Sequence, residues 1–122
     1  MAVFIKTVNL KADMPPVREA LERFDWEITR ARQEGIPILK IIHGYGSGGS
    51  GGDIRIAVQK RLHDLKECGD ISAYIFGEAW SKSDDTSWQL LKAHPELKSD
   101  LDLGRGNRGI SFAIIRVQKS LQ

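Results

Sequence analysis

The 122-residue chain has a single cysteine, Cys68, so no internal disulfide can staple it. Its three histidines, His43, His63 and His94, are too widely separated for a Cys/His metal cluster. Long apolar runs are missing as well: the longest are four or five residues, against the ~20 that a spanning helix needs, so no membrane segment is expected. The first ten residues carry Lys6 inside an alternating pattern and lack the apolar stretch and small-residue cleavage site of a leader, so no signal peptide is expected. An excess of one charge sign is also absent, with 18 Lys and Arg against 16 Asp and Glu. A mean hydropathy of -0.30 and 28% charged residues fit neither a membrane protein nor a disordered chain. With 41% hydrophobic residues and a length in the usual single-domain range, residues 1–122 are expected to form one domain, in a reducing cytoplasm. Cys68, next to Gly69 where a helical pattern stops, reads as a packed small hydrophobe.

The near-neutral total conceals a distribution. Residues 1–76 hold eleven basic and ten acidic side chains, 77–103 hold three and six, and 104–122 hold four and none, giving +1, -3 and +4. Residues 3–10 alternate apolar and polar types and predict a strand. Asp13 and the Pro15-Pro16 pair then suit a capped helix start. Val17, Ala20, Leu21, Phe24, Ile28 and Ala31 form one apolar helical stripe, which should end near Gly35. Trp26 lies off that stripe. Residues 36–43 read as a buried strand, and Ile54, Ala57, Val58, Arg61, Leu62 and Leu65 as a second helix, with Asp53 as N-cap and Gly69 as C-cap. A third strand covers 71–76 and a last one 110–117. Between them, 77–103 is an acidic insertion holding Trp80 and Trp88, with a short helical pattern over 86–93 that Pro95 stops. The expected fold is α/β: a two-layer βαβαββ sandwich with a mixed four-stranded sheet, two main helices and an insertion before the last strand.

Alternating strands and helices imply parallel pairing, which brings the C-terminal ends of the first three strands to one sheet edge, where such folds bind ligands. Lys11 and His43 end the first two strands there. If the last strand runs antiparallel, the basic turn 104–109 opens onto the same edge. Positions 44–52 hold six of the twelve glycines. Glycines between a strand and a helix let the backbone approach an anion, and free N–H groups at the helix start favour phosphate; a ligand-free connection is the other reading. Gly44, Gly46 and Gly49 match the dinucleotide spacing, but Asp70 precedes the third strand instead of closing it, which leaves Glu78 as the only acid to argue for; a Walker loop fails for want of Lys-Ser or Lys-Thr. His43, titrating near neutrality, could move a proton at a phosphodiester or stabilise charge on it, with Lys11 as a fixed positive partner. Ser47, Arg55, Arg105 and Arg108 would ring the edge with phosphate-binding groups.

From about Thr7 to Val117 the chain resembles the Smr (small MutS-related) family. Ile41-Ile42-His43-Gly44-Tyr45-Gly46 is similar to that family's His-Gly-x-Gly motif, Ile54-Arg55 to an apolar-Arg pair, and Gly104-Arg105-Gly106-Asn107-Arg108-Gly109-Ile110 to the glycine turn before its last strand. The resemblance implies binding of DNA or RNA, with Gly44, Tyr45, Gly46, Ser47, Arg55, Arg105, Asn107 and Arg108 at the interface. It also implies endonuclease activity, nicking DNA or cutting RNA in repair, recombination or RNA processing, with His43 of the motif at its centre; the catalytic pair His43 and Lys11 rests on the sheet edge the two share. The chain departs from the family's Leu-Asp-x-His signature, where Val8-Asn9-Leu10-Lys11 stands instead. No cofactor motif is evident; a divalent cation such as magnesium would suit the chemistry, but no residue pattern calls for one. The competing readings are a binding module without cleavage, a small phosphate or nucleotide binder using the glycine turn, and a protein-interaction module presenting Trp80 and Trp88.

Overall fold

The computed structural model describes residues 4–45 and 51–115. Its strands are β1 (Ile5–Asn9), β2 (Ile38–Ile42), β3 (Ile71–Phe76) and β4 (Ile110–Ile115), and its helices α1 (Val17–Glu34), α2 (Gly51–Glu67) and α3 (Asp85–Ala93). Short 3-10 turns, Gly77–Ala79 and Pro95–Ser99, flank α3. The sheet order is β1-β2-β4-β3. β1 pairs parallel with β2, while β4 lies between β2 and β3 and runs antiparallel to both. This is the mixed four-stranded α/β sheet that the pattern predicts. The antiparallel course of β4 brings its N-terminal end beside the C-terminal ends of β2 and β3.

Helix α1 forms where the stripe predicts, burying Ala20, Phe24, Ile28 and Ala31, and Gly35 ends it at φ 72°. Its start differs from expectation. Pro16 occupies the N-cap without a side-chain hydrogen bond, and Asp13 sits in the left-handed region at φ 65°, so the loop geometry takes it out of capping reach. In α2 the helix begins two residues before Asp53, which therefore lies inside the first turn rather than at the cap. Cys68 is exposed, because the chain leaves the helix there and turns at Gly69; its Sγ lies 3.3 Å from Asp70 Oδ2.

The two sheet faces carry different cores. Val8, Leu10, Leu39, Ile41 and Ala113 meet Phe24, Ile28, Val58 and Leu62 of α1 and α2. On the opposite face Ile38, Ile75 and Phe112 lie under the insertion, which supplies Trp80, Leu91 and Leu97. Trp80 is fully buried, 4.6 Å from the Phe112 ring centroid, and its Nε1 donates to Asp100 Oδ1. The expectation of two exposed Trp anchors thus fails at Trp80, whose indole fills the core, whereas Trp88 remains 41% exposed. Asp84 caps α3, its carboxylate accepting from the Ser87 N–H at 2.9 Å.

One polar cluster ties this layer to the sheet. Lys40, in mid-strand on β2, places Nζ 2.9 Å from Asp100 Oδ2 and 2.6 Å from Asp102 Oδ2, with all three side chains largely shielded. Burial alone would lower the Lys40 pKa, but Asp102 and Asp100 outweigh it and hold the ammonium above its ordinary value. For Asp102 burial would raise the pKa, yet hydrogen bonds from Asn107 and Lys40 hold it below the usual carboxylate range. Removing one partner of a shielded ion pair leaves the other desolvated and unmatched. Lys40→Met is expected to lower unfolding stability by about 3 kcal/mol in urea melts, and adding Asp102→Asn should recover part of that loss. A single variant as stable as the wild type would contradict this account.

Candidate functional site

The backbone at the shared edge is fixed by one carbonyl. Gly109 O accepts from both His43 N at 2.9 Å and Gly44 N at 3.0 Å. The Gly109 N–H is in turn donated to Asn107 Oδ1 at 2.8 Å, and Asn107 Nδ2 donates to Asp102 Oδ1 at 2.9 Å. Glycine is needed at Gly77, and space is tight at Gly109. A Cβ on Gly109 would lie 3.1 Å from Asn107 Oδ1 and 3.3 Å from Tyr45 Cδ1, and one on Gly77 would lie 1.9 Å from the Asn107 carbonyl.

His43 is fully buried under this join. Its Nδ1 is 2.7 Å from the Gly44 carbonyl and its Nε2 is 2.9 Å from Ser111 Oγ. A carbonyl only accepts, so Nδ1 carries the proton and donates, and in the neutral ring Nε2 accepts the Ser111 hydroxyl. Burial pushes the His43 pKa below its ordinary value, and the nearby Arg55 charge adds to this against opposing pulls from the Gly44 carbonyl and Glu78. Arg55 itself is bound, with Nη2 2.6 Å from Glu78 Oε2. Glu78, the one acid that could have completed a dinucleotide fingerprint, is thereby occupied.

Lys11 stands exposed beside Gly44, close enough that a Cβ on Gly44 would lie 3.3 Å from Lys11 Cδ. Its loop is held by Asn9, whose Oδ1 accepts from the N–H groups of Lys11 at 3.0 Å and Ala12 at 3.1 Å. Such a side-chain bond to the backbone two residues on is the Asx-turn geometry. On the other side of Gly44, Tyr45 is 53% exposed and the Arg108 guanidinium lies 5.8 Å from its ring centroid. Tyr45, Asp102, Arg105, Asn107 and Arg108 line an open groove of about 630 Å³. Arg105 and Arg108 are exposed, and among the described residues neither makes an ion pair within 4.0 Å.

Of the residues singled out from sequence, Lys11, His43, Gly44, Tyr45, Asn107 and Arg108 come together at this edge, Arg105 shares the groove, and Arg55 approaches His43 but spends its charge on Glu78. Gly46 and Ser47 lie outside the described residues. The sequence reading missed Ser111, the partner of His43, although it is the one polar residue in the apolar run 110–115. It also missed Gly77, whose signal was a glycine directly after a strand. Among the described residues no group of three or more His, Cys, Asp or Glu is placed to hold a metal ion, and no helix is long and apolar enough to cross a membrane.

A mixed four-stranded sheet of order β1-β2-β4-β3 with this glycine-rich edge is an Smr-like α/β fold. The chain is similar to the crystal structure of the Smr domain of Thermus thermophilus MutS2, with a TM-score of 0.53 and 18% identity over 93% of this chain and 99% of that one. No family model matches the sequence, and no curated protein does.

The burial of His43 has a pH signature. The unfolded chain protonates this imidazole near pH ~6.5, whereas the folded chain keeps it neutral to lower pH. Between those two values the unfolded state binds more protons, so stability rises with pH across the window and is lost as pH falls below ~6.5. The expected slope is at most about 1.4 kcal/mol per pH unit for one proton. Urea midpoints measured from pH 8 to 5 should show it in the wild type and not in His43→Gln, which can still donate and accept. Equal slopes in the two proteins would refute the buried neutral ring.

Proposed function

We propose that this chain binds nucleic acid, holding the phosphate backbone along the edge where Lys11, Arg105 and Arg108 stand exposed. The observation that carries the reading is that Lys11 lies beside Gly44, Arg105 and Arg108 line the groove at the adjoining Tyr45, and none of the three makes an ion pair among the described residues. Phosphate contacts of this kind fix position along a strand and carry most of the electrostatic affinity. The Smr-like fold supports the same reading, because the resemblance seen in the sequence implies nucleic-acid binding.

Binding is favoured over hydrolysis. His43 is sequestered, with both ring nitrogens bonded inside the protein, and a general acid or base must reach the proton that it moves. We assign it to holding the Gly44 turn, with Lys11 contributing a fixed charge. Of the two insertion carboxylates near this edge, Asp100 and Asp102, Lys40 offsets one charge, and Arg105 interacts favourably with Asp102.

Anisotropy titrations of labelled DNA and RNA oligonucleotides test this. Affinity should fall steeply between about 50 and 200 mM salt, and Lys11→Ala, Arg105→Ala and Arg108→Ala should each reduce the log–log salt slope by about one unit or slightly less. Affinity indifferent to salt would sink the electrostatic reading. Supercoiled plasmid and folded RNA incubated with the wild type should stay intact; cleavage that disappears in Lys11→Ala would replace binding alone with catalysis.

A further inference from the structure

The groove beside Gly44 holds a feature that phosphate binding does not use. Tyr45 projects into solvent at the point where the strand end turns, and its ring lies against Gly109, which lacks the side chain that would crowd Tyr45 Cδ1 at 3.3 Å. The backbone beneath it is fixed: the preceding residue, Gly44, donates to Gly109 O, and Gly109 donates to Asn107 Oδ1. The Arg108 guanidinium sits 5.8 Å from the ring centroid, and Arg105 lines the same groove. The carboxylate in the groove, Asp102, is held by Lys40 and Asn107.

An exposed tyrosine supported from behind and paired with an arginine presents two planar groups. A nucleobase offers the matching flat, electron-rich surface, and stacking of bases on aromatic rings recurs in single-strand recognition with an arginine beside it. A base inside a duplex has both faces covered by its neighbours, so only an unpaired base can take that place. A globular protein partner would also value an exposed Tyr, but the groove's cations favour a polyanion.

Resting on the nucleic-acid reading above, we propose that Tyr45 and Arg108 form a platform on which one unpaired base stacks, with Arg105 taking an adjoining phosphate, so that the preferred substrate is single-stranded DNA or RNA or an unpaired loop. The preference then comes from one ring and the overall affinity from the surrounding cations. These two contributions respond differently to mutation. Removing the ring leaves the phosphate contacts and their salt dependence in place, whereas removing a cation weakens every substrate.

The test is anisotropy with labelled oligonucleotides of matched length, an unstructured single strand, its blunt duplex and a hairpin with an unpaired loop. The wild type should bind the single strand and the loop more tightly than the duplex. Tyr45→Leu should weaken single-strand binding about five- to a hundredfold, the range for loss of one stacked base, and leave duplex binding within about twofold with an unchanged salt slope. Tyr45→Trp, which keeps a stacking face, should restore the single-strand preference, and urea melts of both variants establish that each is folded. Duplex bound as tightly as single strand, or Tyr45→Leu binding single strand like the wild type, overturns the platform while leaving phosphate binding intact. A wild type that binds none of the three overturns the nucleic-acid reading and the platform with it.

Discussion

The backbone at the candidate edge depends on the Gly109 carbonyl, which receives two amide protons from consecutive residues, His43 and Gly44. A carbonyl has two lone pairs, and here both are used, so the turn before β4 cannot shift without breaking two hydrogen bonds at the end of β2. The arrangement requires β4 to run antiparallel beside β2, with Ile110 opposite Ile42. The neutral imidazole of His43 then locks the join from the helix-covered side, donating to Gly44 O and accepting from Ser111 on β4. Few side chains supply a donor and an acceptor at opposite ends of a rigid ring. That makes a histidine intelligible here without any proton-transfer role.

Electrostatics at this edge are governed by which charges are already paired. Arg55 with Glu78 and Arg61 with Asp25 are couples whose fields largely cancel, while Lys40 offsets one of the two charges of Asp100 and Asp102. What a partner meets within a Debye length, about 8 Å at physiological salt, is the remainder, which includes the cations Lys11, Arg105 and Arg108 and the exposed carboxylates Asp13 and Asp53. The Lys40 cluster has a second effect, because Asp102 also holds Asn107 and Asn107 holds Gly109. The ion pair that fastens the insertion to the sheet is thus two hydrogen bonds removed from the carbonyl that sets the site.

Periodicity made the strands, the α1 stripe and the convergence of three polar features on one edge legible in the sequence, because period and element order survive projection onto one dimension. Side-chain partnerships did not survive it. Asp13 and Asp53 look like caps by residue type, yet backbone geometry puts one in a left-handed turn and the other inside the helix. Trp80 in an acidic segment reads as an anchor until the second core is seen to need it. His43 stands out by its motif, but its burial could not be read without Ser111, 68 positions away.

The departure at the first strand end becomes understandable in the same terms. The family signature has an acid where this chain has Asn9 and a histidine where it has Lys11. The Asn9 carbonyl oxygen still accepts from the N–H groups of Lys11 and Ala12, which an Asp carboxylate in that place could also do, so the loop geometry needs an acceptor and not a charge. Exchanging Asp for Asn deletes a negative charge next to the place proposed for phosphate. Exchanging His for Lys replaces a group that is mostly neutral at pH 7 by one that stays cationic. Both changes keep the turn and make the edge more positive at physiological pH, while removing groups suited to moving protons. Compared with the signature of the family the chain resembles, Asn9 and Lys11 differ in the direction that fits the binding proposed above.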